Sequence, residues 1–297
     1  MAETRHFLAQ SLFSTKGFVA VVTGGGTGIG LMATQALAAN GAKVYITGRR
    51  MEVLENAAKS HQPQEGGGSI IPMGPCDVTK QEDLKRLTDA VGEREKYIHL
   101  LVCNAGVSGP KAEPEPTDAQ DLQARLWGNE DIEDWQNAYR TNVTAVYFTT
   151  VAFLPLLQAS MRTGGGPLEP FSSSVLTISS ISGMMRNSQG HFSYNTAKGA
   201  TIQLTRLMSA EFQKTGIRVN SIAPGYFPSE MTAGESDERQ KSHVSEEKIQ
   251  EKGHVPLQRP GREIEMGMSV LYLAKNQYVN GEIIAVDGGV MNVVAGR

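Results

Sequence analysis

Short apolar, β-branched runs alternate along this chain with longer segments whose apolar residues recur every three or four positions. The short runs predict strands over 19–23, 43–47, 69–73, 100–103, 175–179, 218–222 and 283–286. The longer segments predict helices over 28–39, 52–60, 81–93, 134–159, 194–215 and 263–275. Such alternation builds a parallel sheet flanked by helices, and open sheets of this class bind ligands beyond the carboxyl ends of their strands. Strand tips at Thr23, Cys103 and Ser179 would therefore gather the residues that follow them at one edge. On the long helix, Trp135, Tyr139, Asn142, Val146 and Phe153 follow three-, four- and seven-residue spacings, which predicts one face that is apolar except for Asn142.

Chemistry concentrates after those tips. The first strand runs directly into Thr23-Gly24-Gly25-Gly26-Thr27-Gly28-Ile29-Gly30. A glycine-rich turn between strand and helix lets the backbone turn tightly and brings helix amides to a pyrophosphate, with Thr27 able to add a hydroxyl. Downstream, Ser179-Ser180-Ile181-Ser182-Gly183 precedes Tyr194-Asn195-Thr196-Ala197-Lys198. Tyr194 and Lys198 lie one helical turn apart on one face, where an ammonium favours phenolate and eases proton exchange. Together the two regions describe a hydride-transfer site.

With Asn104-Ala105-Gly106 and Pro224-Gly225 in their expected order between and after these motifs, the chain resembles the short-chain dehydrogenase/reductases from Thr23 to Gly289. It is similar in particular to the branch containing 3-oxoacyl-(acyl-carrier-protein) reductases and the related reductase of rhamnolipid synthesis. The resemblance implies a single Rossmann-like α/β domain over 1–297 with a doubly wound parallel sheet of about seven strands. It implies that Tyr194 is the acid, that Ser180 positions the carbonyl, and that Lys198 tunes the tyrosine and holds the nicotinamide ribose. Ser179 and Ser182 are near alternatives to Ser180, and the span from Ser180 to Tyr194 looks about one residue longer than usual. Asn142 is implied to hold a water linking the lysine to solvent; the alternative is a simple interior hydrogen-bonding residue.

The resemblance further assigns cofactor contacts to Gly24, Thr27, Gly28, Ile29 and Gly30, and carries Asp77 to the adenine amino group and Asn104 to the ribose wall. Asp77 is otherwise read as an N-cap of the helix starting near Thr79 or Lys80. After the second strand the chain reads Thr47-Gly48-Arg49-Arg50, with no acid before Glu52 to select an NAD ribose. Arg49 falls where NADP-preferring relatives place a phosphate-binding arginine, so NADP is the expected cofactor; an exposed loop charge is the other reading. Pro224, Gly225, Phe227 and Ser229 belong to the loop that brackets the nicotinamide in relatives. Phe227 departs from the small apolar residue usual there and is expected to narrow or stack against the pocket.

Composition narrows the remaining classes. The 297 residues are 40% apolar with a net charge of −3 and both signs interspersed, which gives no basic stripe for nucleic acid. Cys76 and Cys103 end apolar runs and read as reduced core thiols. No histidine has metal-ligand spacing, and the longest apolar stretch, 143–157, contains three threonines and Pro155 and reads as a buried helix rather than a membrane span. Without a signal-like h-region in 1–16 or a peroxisomal tripeptide, a cytoplasmic location is expected.

Insertions are expected at 62–68, 107–133 and 161–173, the second leaving the active edge just after Gly106, and a lid over the substrate at 229–253. The expected substrate is a 3-oxoacyl-type or related ketone, with a bulkier secondary-metabolite ketone or a silent NADP-binding sensor as alternatives. Val107–Pro110, Met184, Met185, Phe192, Phe227 and the lid are expected to form a largely apolar pocket. His191 reads as a loop or core residue or as facing the substrate. The helices over 134–159 and 194–215 are expected to pack in a homodimer or homotetramer.

Overall fold

The computed structural model describes residues 3–112, 118–161 and 171–294. After a short helix α1 (Ala9–Leu12), the chain alternates β1 (Val19–Thr23), α2 (Gly28–Ala39), β2 (Lys43–Thr47), α3 (Met51–His61), β3 (Ser69–Pro72), α4 (Gln81–Arg94) and β4 (Leu100–Cys103). Next come α5 (Ala119–Trp127), α6 (Ile132–Tyr139), a π-helical turn at Arg140–Thr144, α7 (Ala145–Ser160), β5 (Ser174–Ile178), α8 (Phe192–Phe212) and β6 (Arg218–Pro224). The lid region supplies α9 (Glu230–Ala233) and α10 (Glu246–Gln250), and α11 (Glu263–Lys275), β7 (Ile283–Val286) and α12 (Val290–Val293) close the chain. The seven strands form one parallel sheet in the order β3-β2-β1-β4-β5-β6-β7, a Rossmann-like doubly wound arrangement.

Every residue of β1 is buried, because a strand covered on both faces has no polar side. Its alternate residues divide cleanly between two cores. Ala20 and Val22 join Leu31, Leu37, Leu54 and Val270 from α2, α3 and α11. Val19 and Val21 join Leu87, Phe153, Leu157 and Met208 from α4, α7 and α8 on the opposite face. The register pairs Thr23 with both Thr47 and Cys103, and Cys103 with Thr177, so the carboxyl tips end level. The edge that carries the motifs is thereby set.

The long helix departs from the even spacing expected of it. At the π turn the Ala145 amide donates back to the Arg140 carbonyl, five residues earlier, which inserts an extra residue and shifts the helical face. Trp135 and Tyr139 are consequently each 37% exposed, whereas Asn142, Val146 and Phe153 are buried. The expected single stripe is two stripes joined at Asn142.

The 62–68 loop lies at the surface but is tied down: the Gln62 side chain pairs with both backbone groups of Ile70. Within the 107–133 segment, α5 has no buried residue and is capped by Asp118, which accepts from the Gln120 and Asp121 amides. Residues 113–117, with Pro114 and Pro116, and 162–170, which hold the glycine run of the third insertion, lie outside the described residues. Cys76 and Cys103 are free and buried, and burial pushes their thiols up to about 11 and about 12. Among the carbonyls near the end of α11, those of Leu273 and Ala274 receive hydrogen bonds from the buried Arg218 guanidinium.

The split stripe has a measurable consequence. Phe153→Ala should lower the unfolding free energy by about 3–5 kcal/mol, the range for a fully buried phenylalanine. Trp135→Ala, on the other side of the π turn, should cost clearly less. Chemical denaturation of both variants checks this, and equal losses would contradict the shift in face.

Candidate active site

A cavity of about 870 Å³ opens along the carboxyl edge of the sheet. It is lined by Gly24, Thr27, Gly28, Ile29, Arg49, Asp77, Asn104, Ser180, Tyr194, Lys198, Pro224, Gly225, Phe227 and Ser229. Among the expected site residues, Gly30 and Asn142 stand behind the wall rather than in it.

The glycine loop is shaped by contacts that no side chain could share. Gly24 and Gly28 have φ of 62° and 51°, the left-handed region where a Cβ is strained. A Cβ on Gly30 would lie 2.1 Å from the Gly24 carbonyl oxygen and 2.4 Å from Asn104 Nδ2. Asn104 Nδ2 donates to the Thr23 and Gly24 carbonyls at 3.0 and 3.1 Å, and Thr23 Oγ1 accepts from the Asn104 and Ala105 amides. Asn104 therefore braces the turn with the amide expected at the ribose wall. Thr27 caps α2 without a side-chain hydrogen bond, which leaves its hydroxyl and the positive helix end facing the cavity. Such a cradle, which added Cβ atoms would fill, fits a dinucleotide pyrophosphate.

At the far end, Arg50 pairs with Glu230 at 2.8 Å, whereas exposed Arg49 makes no ion pair among the described residues. Asp77 Oδ1 accepts from the Thr79 amide and hydroxyl at 3.0 and 2.7 Å. The N-cap of α4 is Lys80, so Asp77 makes a turn ahead of the helix instead of capping it. Across the cavity Ser229 presses on the glycine loop: a Cβ on Gly28 would come within 2.8 Å of Ser229 Cβ.

The geometry separates Ser179 from Ser180, while Ser182 lines the cavity beside Ser180. Ser179 Oγ donates to the Ile222 carbonyl and accepts from Ser221 Oγ, both inside the sheet. Ser180 Oγ accepts from the Ser182 amide at 3.1 Å, and its hydroxyl acts on the Tyr194 phenol. Burial raises the Tyr194 phenol above its ordinary value, and the Ser180 contact offsets part of that. Lys198 Nζ sits 5.7 Å from the Tyr194 ring centroid and donates to the Ile178 carbonyl at 2.8 Å. Burial pulls the Lys198 ammonium down to about 8. The expected depression of the phenol by the lysine is thus outweighed by desolvation of both groups.

Asn142 holds the β4 loop. Its Nδ2 donates to the Val107 carbonyl at 2.9 Å and its Oδ1 accepts from the Val107 amide at 3.2 Å. Its own carbonyl accepts from Thr201 Oγ1 on α8. A Cβ on Gly106 would fall 2.7 Å from Asn142 Oδ1 and 3.6 Å from Lys198 Nζ, so the amide, the loop and the lysine are packed in series.

The substrate end differs from expectation. Phe227 is buried and its ring lies against Gly261, where a Cβ would come within 2.4 Å of it. The slot left by Gly261 takes the ring into the core instead of letting it stack over the pocket. Met184 and Met185 pack with Ile181, Ile249, Val255 and Val290, and neither they nor Phe192 line the cavity. The wall there is mixed rather than largely apolar: Lys111, Gln189, His191, Tyr226, Lys248 and Lys252 line it alongside Val107, Met231, Val244 and Ile249. His191 does face the site, with its ring 6.4 Å from that of Tyr194 and Nδ1 3.2 Å from the Pro110 carbonyl. Tyr226 hydroxyl contacts His254 Nε2 at 2.8 Å and accepts from Gln189 at 3.1 Å. Sequence reasoning missed Gln189, Tyr226 and the lysines; the one available signal for Tyr226 was its place after Pro224-Gly225.

Comparison with known proteins agrees with this arrangement. Residues 24–291 match the family described as enoyl-(acyl carrier protein) reductase. The short-chain dehydrogenase/reductase PhomF of Diaporthe leptostromiformis is 38% identical, over 98% of this chain and 97% of its own. The rhamnolipids biosynthesis 3-oxoacyl-[acyl-carrier-protein] reductase of Pseudomonas aeruginosa is 31% identical, over 93% and 97%. Among solved structures, the Pseudomonas aeruginosa RhlG/NADP active-site complex superposes with a TM-score of 0.75 at 30% identity, covering 94% of this chain and 98% of that one. With the sheet order, the glycine turn and the Ser180, Tyr194 and Lys198 geometry in place, these matches along nearly its whole length make the chain a member of the short-chain dehydrogenase/reductase family of oxidoreductases.

Proposed function

We propose that the protein is an NADP(H)-dependent reductase that converts a 3-oxoacyl-type or related ketone to a secondary alcohol. The observation that carries the reading is the meeting of Ser180, Tyr194 and Lys198 in one cavity with a glycine-lined helix N-terminus. When bound, the nicotinamide cofactor supplies the hydride. Gly24, Thr27, Gly28 and Ile29 receive its pyrophosphate, Arg49 a 2′-phosphate, and Asp77 the adenine amino group. Pro224, Gly225 and Ser229 flank the nicotinamide, and Phe227 supports that loop from beneath. Relatives named as a 3-oxoacyl reductase and as an NADP complex support the substrate class and the cofactor.

The chain's own groups handle the proton. A phenol held above its ordinary pKa stays protonated at neutral pH, the state needed to deliver a proton to the developing alkoxide. The Ser180 hydroxyl, on the same cavity wall as that phenol, orients the carbonyl oxygen. Lys198 remains mostly ammonium at pH 7 and stabilises the negative charge left on Tyr194. Asn142 acts one layer back, and its place beside Gly106 and Lys198 suits a water-linked route for the lysine's proton.

Assembly as a homodimer or homotetramer belongs to the same reading. It is supported by Tyr147 and Phe148 on α7 and Leu207 on α8, which are 42%, 36% and 55% exposed. Light scattering at micromolar concentration should return a multiple of the 32.0 kDa chain mass, and a monomer would refute it.

Tyr194→Phe should cut ketone-dependent NADPH oxidation by at least about 100-fold, the lower scale of general acid catalysis, while NADPH still binds. Lys198→Ala should damage turnover and NADPH affinity together. Near wild-type turnover by Tyr194→Phe would sink the mechanism.

Arg49→Ala should weaken NADPH by about 1–3 kcal/mol, the scale of a charged hydrogen bond, and leave NADH affinity little changed. Titration of the unmodified protein with both cofactors is the control. Equal affinities there would reduce Arg49 to a surface charge.

A further inference from the structure

The substrate end of the cavity carries positive charge that hydride transfer does not use. Lys111 arrives from the segment after β4, and Lys248 and Lys252 arrive from the lid, two stretches more than a hundred residues apart that line the same wall. Lys252 Nζ stands 4.6 Å from the centroid of the Tyr226 ring. Lys248 Nζ donates to the Thr232 carbonyl at 2.9 Å. None of the three has a carboxylate partner among the described residues.

The acids of the same cavity do not neutralise them. Asp77 is engaged by Thr79 in the turn after β3, and Glu230 is paired with Arg50. The lysines feel one another: after desolvation, the charges of Lys111 and Lys248 lower the Lys252 pKa. Burial holds His191 below its ordinary value; Lys111 and Lys252 push it the same way, while the Glu130 carboxylate, which accepts from Ser193 Oγ, opposes them. His191, on which these charges act, stands 6.4 Å from the Tyr194 ring. Three lysines on one wall, none of them in an ion pair among the described residues, complement an anion.

We propose that the ketone substrate is an oxo acid whose carboxylate is seated between Lys111 and Lys252 while its carbonyl reaches Tyr194 and Ser180. A phosphate at the end of a carrier arm shares this anion chemistry, and the comparison of the acids with the thioester separates the two sources. The proposal rests on the ketoreductase reading and gives it a substrate class.

The test compares a series of straight-chain oxo acids with their methyl esters and with a 3-oxoacyl phosphopantetheine thioester, using NADPH oxidation and calorimetric binding to the NADP-loaded protein. The best acid should exceed its ester by about tenfold in kcat/KM, the scale of one charge-assisted contact. Most of the difference should lie in KM, and added salt should shrink it. The double variant Lys111→Met, Lys252→Met should bring the ratio of acid to ester towards one. A ratio near one in the unmodified protein, or a preference that survives the double variant, overturns the proposal; so does a preference for the thioester over every acid. Lysine-dependent binding of the acid without turnover of any ketone would keep the anion seat and fail the reductase reading. Absence of lysine-dependent binding removes the seat whatever the turnover.

Discussion

The close approach of Gly30 to the Gly24 carbonyl and the Asn104 amide is the contact on which the rest of the site depends. A methyl group at Gly30 would overlap both, so the start of α2 meets the tips of β1 and β4 only because hydrogen stands there. Asn104 converts that approach into hydrogen bonds by donating to two successive carbonyls, Thr23 and Gly24. The positive end of α2 is thereby fixed beside the β4 loop, and that loop leads to Gly106, Asn142 and Lys198. Cofactor cradle and proton-handling groups are thus two ends of one packed series.

Burial governs the chemistry at the second end. Lys198 is only 5% exposed, and its hydrogen bond to Ile178 leaves part of the desolvation cost of an ammonium uncompensated. Its pKa falls to about 8, and that of Tyr194 rises for the same reason. The two groups therefore move apart in proton affinity: in the free site the phenol holds its proton and the ammonium gives its proton up more readily, so each is biased towards its neutral form. Pairwise attraction between charges explains less of this tuning than exclusion of water does.

The substrate end follows a different logic. Phe227, Met184 and Met185 all have apolar cores within reach, and each side chain goes there. What remains at the substrate end of the cavity is a mixed wall, with Lys111, Gln189, His191, Tyr226, Lys248 and Lys252 beside Val107, Met231, Val244 and Ile249. Hydrophobic residues near a site are drawn away from it whenever a neighbouring core can bury them more completely. The Tyr226, Gln189 and His254 hydrogen bonds then hold the wall that the apolar residues vacate.

Seven strands, their parallel sense and the edge that bears the motifs were legible in the sequence, because short apolar runs alternating with segments of three- and four-residue spacing mark strands covered on both faces by helices. The glycine turn, Ser180, Tyr194 and Lys198 were legible for a related reason: their chemistry depends on local backbone geometry and one helical turn. The π turn at Arg140–Thr144 was not, since one extra residue in a helix leaves composition and average spacing unchanged. Nor were the buried Arg218 at the end of α11, the Phe227 slot made by Gly261, or the cavity wall that Lys111 and Lys252 share. Each of these joins residues far apart in the chain through packing between elements. Periodicity determines which face of an element is buried; which partner it meets there is decided only when the elements compete for the same space.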